Sequence, residues 1–183
     1  DLLRELKKNF IHENLSKNKK DHINLINHFR KRLEKNNNDL DITISLGNCL
    51  KKIQNIPALK KLYTSFNEKV SGSEIIKKEV ADIFFDERNF FKAIQYYLIC
   101  LKKSNFKLNK DIYIKLCYSF YQLRDYEKSS KYALDYIGYY NEFSIENYLL
   151  FGNAFLKARM YNMAIKQFQN GIKFFNKYSQ KIK

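Results

Sequence analysis

The chain has 183 residues, a formal net charge of +15, 45% hydrophobic residues and 16% aromatic residues. That much apolar material excludes an intrinsically disordered chain. One proline, Pro57, and five glycines are too few for strands joined by tight turns, which leaves helices joined by short polar links.

The positive charge does not by itself indicate a nucleic-acid partner. Only six of the 34 basic residues are arginine (Arg4, Arg30, Arg32, Arg88, Arg124 and Arg159), and the other 28 are lysine. Lys, Asn, Ile and Tyr all have AT-rich codons, so genome composition accounts for much of the excess and points to an AT-rich bacterium. The three cysteines, Cys49, Cys100 and Cys117, are spaced by 51 and 17 residues with no CxxC pair and no Cys/His cluster, so neither a metal site nor a cofactor is expected. No apolar run approaches the roughly 20 residues of a membrane-spanning helix, and no signal-peptide pattern is present. The expected compartment is the bacterial cytoplasm, or the periplasm and cell envelope if a leader preceded Asp1.

Taken in chain order, residues 1–39 carry two stripes spaced i, i+3, i+7: Leu3, Leu6 and Phe10, then Ile26, Phe29 and Leu33. Polar residues from Asn14 to Asp21 read as the loop between them, and Asn36, Asn37 and Asn38 as a separator. This segment is expected to be a helical hairpin, acting as a cap or as a decayed repeat.

From residue 40 a frame recurs. A small residue falls at Gly47, Ala81, Cys117 and Gly152, with spacings of 34, 36 and 35. A second helix opens at Ile56, Phe90, Tyr126 and Tyr161, and three residues later come Leu59, Ala93, Ser129 and Ala164. Asn55, Asn89 and Asp125 stand where an N-cap belongs, and the fourth copy has Met160 there. Pro57 lies in the first turn of its helix, where a missing N–H costs nothing. The physical basis is two antiparallel helices crossing at the small residue, where a large side chain would force the backbones apart. Aromatics such as Tyr97, Tyr126, Phe155, Tyr161 and Phe168 stand at the packing positions of the frame and are expected to fill the space between one repeat and the next. The frame divides the chain into units 40–73, 74–109, 110–144 and 145–178, with residues 179–183 as a tail. The first unit is the most degenerate, with Leu59 and Asn67 at positions that otherwise want small or apolar side chains.

This pattern resembles the tetratricopeptide-repeat (TPR) family over about three quarters of the chain. The resemblance implies an all-α, right-handed superhelix of about four helix pairs preceded by the N-terminal hairpin. It also implies a non-catalytic scaffold that grips a partner protein or peptide segment in a concave groove lined by the first helix of each pair. The groove positions carried over are Ile44, Asn48, Lys51 and Lys52, then Lys78, Asp82, Phe85 and Asp86. The third unit contributes Ile114, Tyr118, Tyr121 and Gln122, and the fourth Leu149, Asn153, Leu156 and Lys157. Asn48 and Asn153 offer a donor and an acceptor at once, while Tyr118 and Tyr121 offer broad contact at low entropic cost. The subtype that clamps a chaperone's C-terminal carboxylate is excluded position by position: Ile44 precedes Asn48 where that clamp wants a lysine, and Asp82 follows Lys78 where it wants an asparagine.

No nucleotide-binding, zinc-protease or serine-hydrolase signature occurs. His12, His22 and His28 lie in the N-terminal segment without the i, i+3 or i, i+4 spacing of helical metal ligands. The net charge is +6 over residues 145–183 and zero over 110–144. The basic C-terminal end therefore suits an acidic partner or an anionic membrane surface. The alternative to the protein scaffold is a basic helical repeat that binds RNA or such a surface, and the mixed charge of the groove disfavours it.

Overall fold

In the computed structural model, residues 20–69, 73–103, 110–141 and 143–179 are described. Every regular element among them is a helix. α1 covers residues 20–35. It is followed by α2 (Leu40–Lys52), α3 (Ile56–Lys69), α4 (Glu74–Asp86), α5 (Phe90–Lys103), α6 (Lys110–Gln122), α7 (Tyr126–Tyr139), α8 (Ile145–Lys157) and α9 (Tyr161–Ser179). The chain divides into two compact units, Asp1–Val80 and Ala81–Lys183, with the junction inside α4.

The first unit bears out the Ile26 stripe: Ile26 is buried, and Phe29 and Leu33 are half-buried. Lys20 and Asp21, expected in a loop, already belong to α1, because the polar run has no helix breaker at its end. The first stripe, Leu3, Leu6 and Phe10, and most of the expected loop lie outside the described residues, as does His12. α2 starts where the Asp39 carboxylate accepts from Ile42 N–H at 3.0 Å, and Lys51 and Lys52 complement the dipole at its other end. Its buried face of Ile42, Leu46, Cys49 and Leu50 meets α3, whose buried face carries Leu59, Tyr63 and Phe66. Leu59, anomalous by the repeat frame, is 1% exposed. Gly47 is required at the crossing: a Cβ there would stand 2.7 Å from Tyr63 Cε1.

In the second unit α6 packs on α7 and α8 on α9. Their core joins Cys117, Ala133, Tyr136, Phe151, Phe155 and Ala164. Gly152 repeats the contact seen at Gly47, since a Cβ on it would lie 2.8 Å from Phe168 Cδ1. Phe168 occupies the same place in its pair as Tyr63 does in the first, sixteen positions after the glycine. In the third pair the volumes are exchanged, with the larger Cys117 at the crossing and Ala133 sixteen positions later. There Ser129 Oγ donates to the Cys117 carbonyl at 2.9 Å and lies 3.5 Å from its Sγ, tying α6 to α7.

The turn inside each pair is built alike. Three residues separate α2 from α3, α4 from α5, α6 from α7 and α8 from α9. The middle one is left-handed in each: Gln54 (φ 58°), Arg88 (58°), Arg124 (62°) and Arg159 (61°). In the third turn Arg124 N–H donates to Tyr121 C=O at 3.0 Å and Asp125 N–H to Phe120 C=O at 3.0 Å. This pair of bonds satisfies the carbonyls left over at a helix C-terminus, and the other three turns repeat it. The next helix then starts on a side-chain cap: Asn55 accepts from Ala58 N–H at 3.2 Å, Asn89 from Lys92 N–H at 3.3 Å and Asp125 from Lys128 N–H at 3.2 Å.

One packing expectation is overturned. Tyr161 was expected to fill the core, yet it is 57% exposed. Its counterparts Phe90 and Tyr126 meet an aromatic ring on the preceding helix, with centroids 5.8 Å apart for Phe85–Phe90 and 5.6 Å for Tyr121–Tyr126. At the matching position before Tyr161 the chain has Leu156, so no ring is there to receive it.

Candidate partner-binding face

The positions carried over from the repeat frame fall in four columns along the first helices of the pairs, one turn or less apart. None is buried; each is half-buried or exposed. This follows from helix geometry, because a helix whose core stripe holds Leu46, Gly47 and Leu50 must turn Asn48, Lys51 and Lys52 away from it.

Within the first unit Asn48, Lys51 and Lys52 are exposed, and Ile44 and Lys78 half-buried. Lys51 Nζ forms an ion pair with Glu79, which joins α2 to α4. Lys51 is thereby held, while Asn48 and Lys52 stand to solvent.

Within the second unit the end of α4, α6 and α8 supply the rest. Phe85 and Tyr118 meet at 5.5 Å, and Phe90 closes on Tyr118 at 5.8 Å, so three rings from α4, α5 and α6 form one cluster. Tyr118 keeps 38% of its surface exposed at the rim. Tyr121 is half-buried against Tyr126. Asp82 accepts from Tyr97 Oη and from Lys115 Nζ, each at 2.6 Å, and the Lys115 ammonium sits 5.4 Å from the Phe85 ring centroid. Burial, with the hydrogen bond to Asp82 adding to it, pushes the Tyr97 phenol far above its ordinary pKa. Asp82 is therefore a brace that links α4, α5 and α6, and it sets Lys115 over the Phe85 ring, which in turn packs on Tyr118. Asn153, Gln122, Asp86 and Lys157 are exposed, and Leu149 and Leu156 are 51% and 44% exposed.

The frame missed two contributors. Lys115 and Phe90 were not among the expected face residues, yet they complete the Asp82 brace and the ring cluster. The available signal was charge complementarity, since Lys115 lies one position past Ile114 on the same helix and opposite in sign to Asp82.

Little on this face is equipped for covalent chemistry. Cys49, Cys100 and Cys117 are all buried, and burial, opposed by the bond to Ser129, pushes the Cys117 thiol up to about 12. Among the described residues no three His, Cys, Asp or Glu side chains gather as a metal site. No described helix is long and apolar enough to cross a membrane.

No family model matches the chain, and no curated protein does. Solved structures do. A MamA protein superposes with a TM-score of 0.72 at 17% identity, covering 93% of each chain. MamA residues 41-end from Desulfovibrio magneticus RS-1 gives 0.71 at 9% identity, covering 96% of this chain and 94% of that one. YrrB, described as a TPR protein with an unusual peptide-binding site, gives 0.68 at 18% identity, covering 79% and 73%. At such identities the likeness is one of fold. The chain is an all-α array of helix pairs with the fold of tetratricopeptide-repeat proteins.

Proposed function

We propose that the chain is a non-catalytic scaffold that binds a segment of another protein along the first helices of its pairs, read as the units 40–73, 74–109, 110–144 and 145–178. The observation that carries this reading is the face of the second unit. It presents a braced ring cluster, Phe85 with Tyr118, beside half-buried Tyr121 and the exposed apolar side chains Leu149 and Leu156. Rigid aromatics in a fixed frame contribute contact area at low entropic cost. Gln122 and Asn153 can satisfy the backbone of an extended segment laid across them. In the first unit Asn48 can do the same, while Lys52 and Lys78 offer donors only. The described peptide-binding site of YrrB supports a peptide or protein as the ligand class.

The test is affinity capture with mass spectrometry, comparing the wild type with Tyr121→Ala/Asn153→Ala. The double variant is expected to keep its helical circular dichroism and to lose the specific partners. Recovery of the same partners by both proteins refutes the reading. Capture should also persist between about 50 and 200 mM salt, whereas binding through lysine–phosphate contacts falls steeply over that range.

A further inference from the structure

The left-handed residue of each turn is normally glycine, because a Cβ in that conformation crowds the following carbonyl. Here the three turns of the second unit carry Arg88, Arg124 and Arg159. These are half of the six arginines in a chain whose other 28 basic residues are lysine. All three are exposed. Among the described residues none of the three guanidinium groups enters a hydrogen bond, an ion pair or a ring contact. The positive charge alone would suit a helix C-terminus, but lysine would serve that purpose equally. What arginine adds is a planar fork that grips a carboxylate with two parallel hydrogen bonds. Backbone strain kept at the same point of three successive turns, by the scarcer of two basic residues, points to a role for the side chain.

The three turns lie along one edge of the second unit. α4 and α6 are neighbours through the Asp82–Lys115 ion pair, and α6 packs on α8. Packed helices stand about 10 Å apart, so the turns that carry the arginines recur at about that interval. Between the last two turns a cleft of about 580 Å³ is lined by the cations Arg124, Lys157 and Arg159 and by Asp125, Glu127 and Ser130, with room for an acidic side chain.

We propose that this arginine row is a second docking edge, which adjoins the helix face described above at Lys157. It receives an extended acidic polypeptide segment, one carboxylate per turn. A segment in the extended polyproline II conformation advances about 3.1 Å per residue with three residues per turn, so acidic residues three apart lie on one face and match the row. Asp86, Glu87 and Glu127 are exposed beside the arginines. Successive phosphates of a nucleic-acid strand follow at about 3.4 Å, too densely to avoid these interleaved carboxylates, whereas carboxylates spaced at the interval of the row can stand opposite the arginines alone, which favours a peptide over a nucleic acid.

The experiment measures fluorescence anisotropy of a labelled peptide with glutamate at every third position, against its glutamine counterpart and an oligothymidylate. Proteins compared are the wild type, the triple Arg88→Gly/Arg124→Gly/Arg159→Gly, the triple Arg→Lys, and Tyr121→Ala/Asn153→Ala. Glycine relieves the turns, so the first variant should unfold no earlier than the wild type while binding the glutamate peptide at least tenfold more weakly. The lysine variant should bind at an intermediate level, and the Tyr121/Asn153 variant like the wild type. Four results overturn the proposal: unchanged binding by the glycine variant, equal binding by the lysine variant, a destabilised glycine variant, or tighter binding of the oligothymidylate. Loss of peptide binding in the Tyr121/Asn153 variant alone assigns the peptide to the helix face and also overturns it.

Discussion

Replacing Gly152 by alanine tests whether the helix crossing is governed by paired volumes. In an ordinary helix interior Gly→Ala stabilises by about 1 kcal/mol. At Gly152 the new Cβ would lie 2.8 Å from Phe168 Cδ1, and overpacking of a formed core costs about 1–3 kcal/mol. The net result in the wild-type background is a loss of up to about 2 kcal/mol once the helix gain of about 1 kcal/mol is subtracted. Phe168→Ala removes the obstacle and, for a half-buried ring, should itself cost about 2 kcal/mol, below the range for a fully buried one. With the ring gone, Gly152→Ala should become stabilising by about 1 kcal/mol. The double variant then imitates the third pair, where Cys117 at the crossing is matched by Ala133. Urea unfolding of all four proteins, followed by circular dichroism, gives the coupling energy, provided the m-values agree. An effect of Gly152→Ala that is equal in both backgrounds to within about 0.5 kcal/mol refutes the volume argument.

Asp125→Ala should lower stability by about 1 kcal/mol, the usual cost of a lost cap. The Asp125 carboxyl feels burial, which raises its pKa, but the hydrogen bonds and charge of Lys128 outweigh it and leave the pKa below its ordinary value. Its stabilising contribution is therefore complete above the unfolded-state carboxylate pKa and is lost as pH falls through the lowered folded one. Urea midpoints of the wild type and Asp125→Ala should converge at the acid end, and a gap that stays constant to the lowest pH contradicts the assignment. Native protein should react with a thiol reagent far more slowly than urea-unfolded protein, because Cys49, Cys100 and Cys117 are all buried. Fast native labelling would contradict the burial of these thiols.

The elements most legible in the sequence were those that local chemistry dictates. Gly47 and Gly152 marked helix crossings because nothing larger fits, and Asn55, Asn89 and Asp125 marked helix starts because their oxygens accept from backbone N–H groups. The left-handed turns were illegible for the opposite reason: Arg88, Arg124 and Arg159 replace the glycine that would have announced them, and only the backbone reveals the conformation. The Asp82 brace was illegible because a repeat frame aligns Asp82 with Tyr118, whereas its partner Lys115 lies three residues earlier on that helix. Tyr161 was misplaced because the frame describes a position and not the neighbour that must bury it. As for the face itself, the columns could be projected from helix periodicity, but which side chains are held and which stand free depended on contacts between pairs.

The first helix of each pair has 13 residues and the turn after it three, and α3, α5 and α7 have 14 each. Every described pair keeps the same first helix and turn, so the drift in repeat length, seen in the spacings of 34, 36 and 35 between Gly47, Ala81, Cys117 and Gly152, falls outside that stretch. The division follows from rotation: one residue added within a pair would swing the following helix by about 100° and turn its core stripe to water, whereas an added link residue leaves both stripes facing inward. The links are thus the seams along which such a chain can gain, lose or borrow whole helix pairs in evolution without renegotiating any crossing.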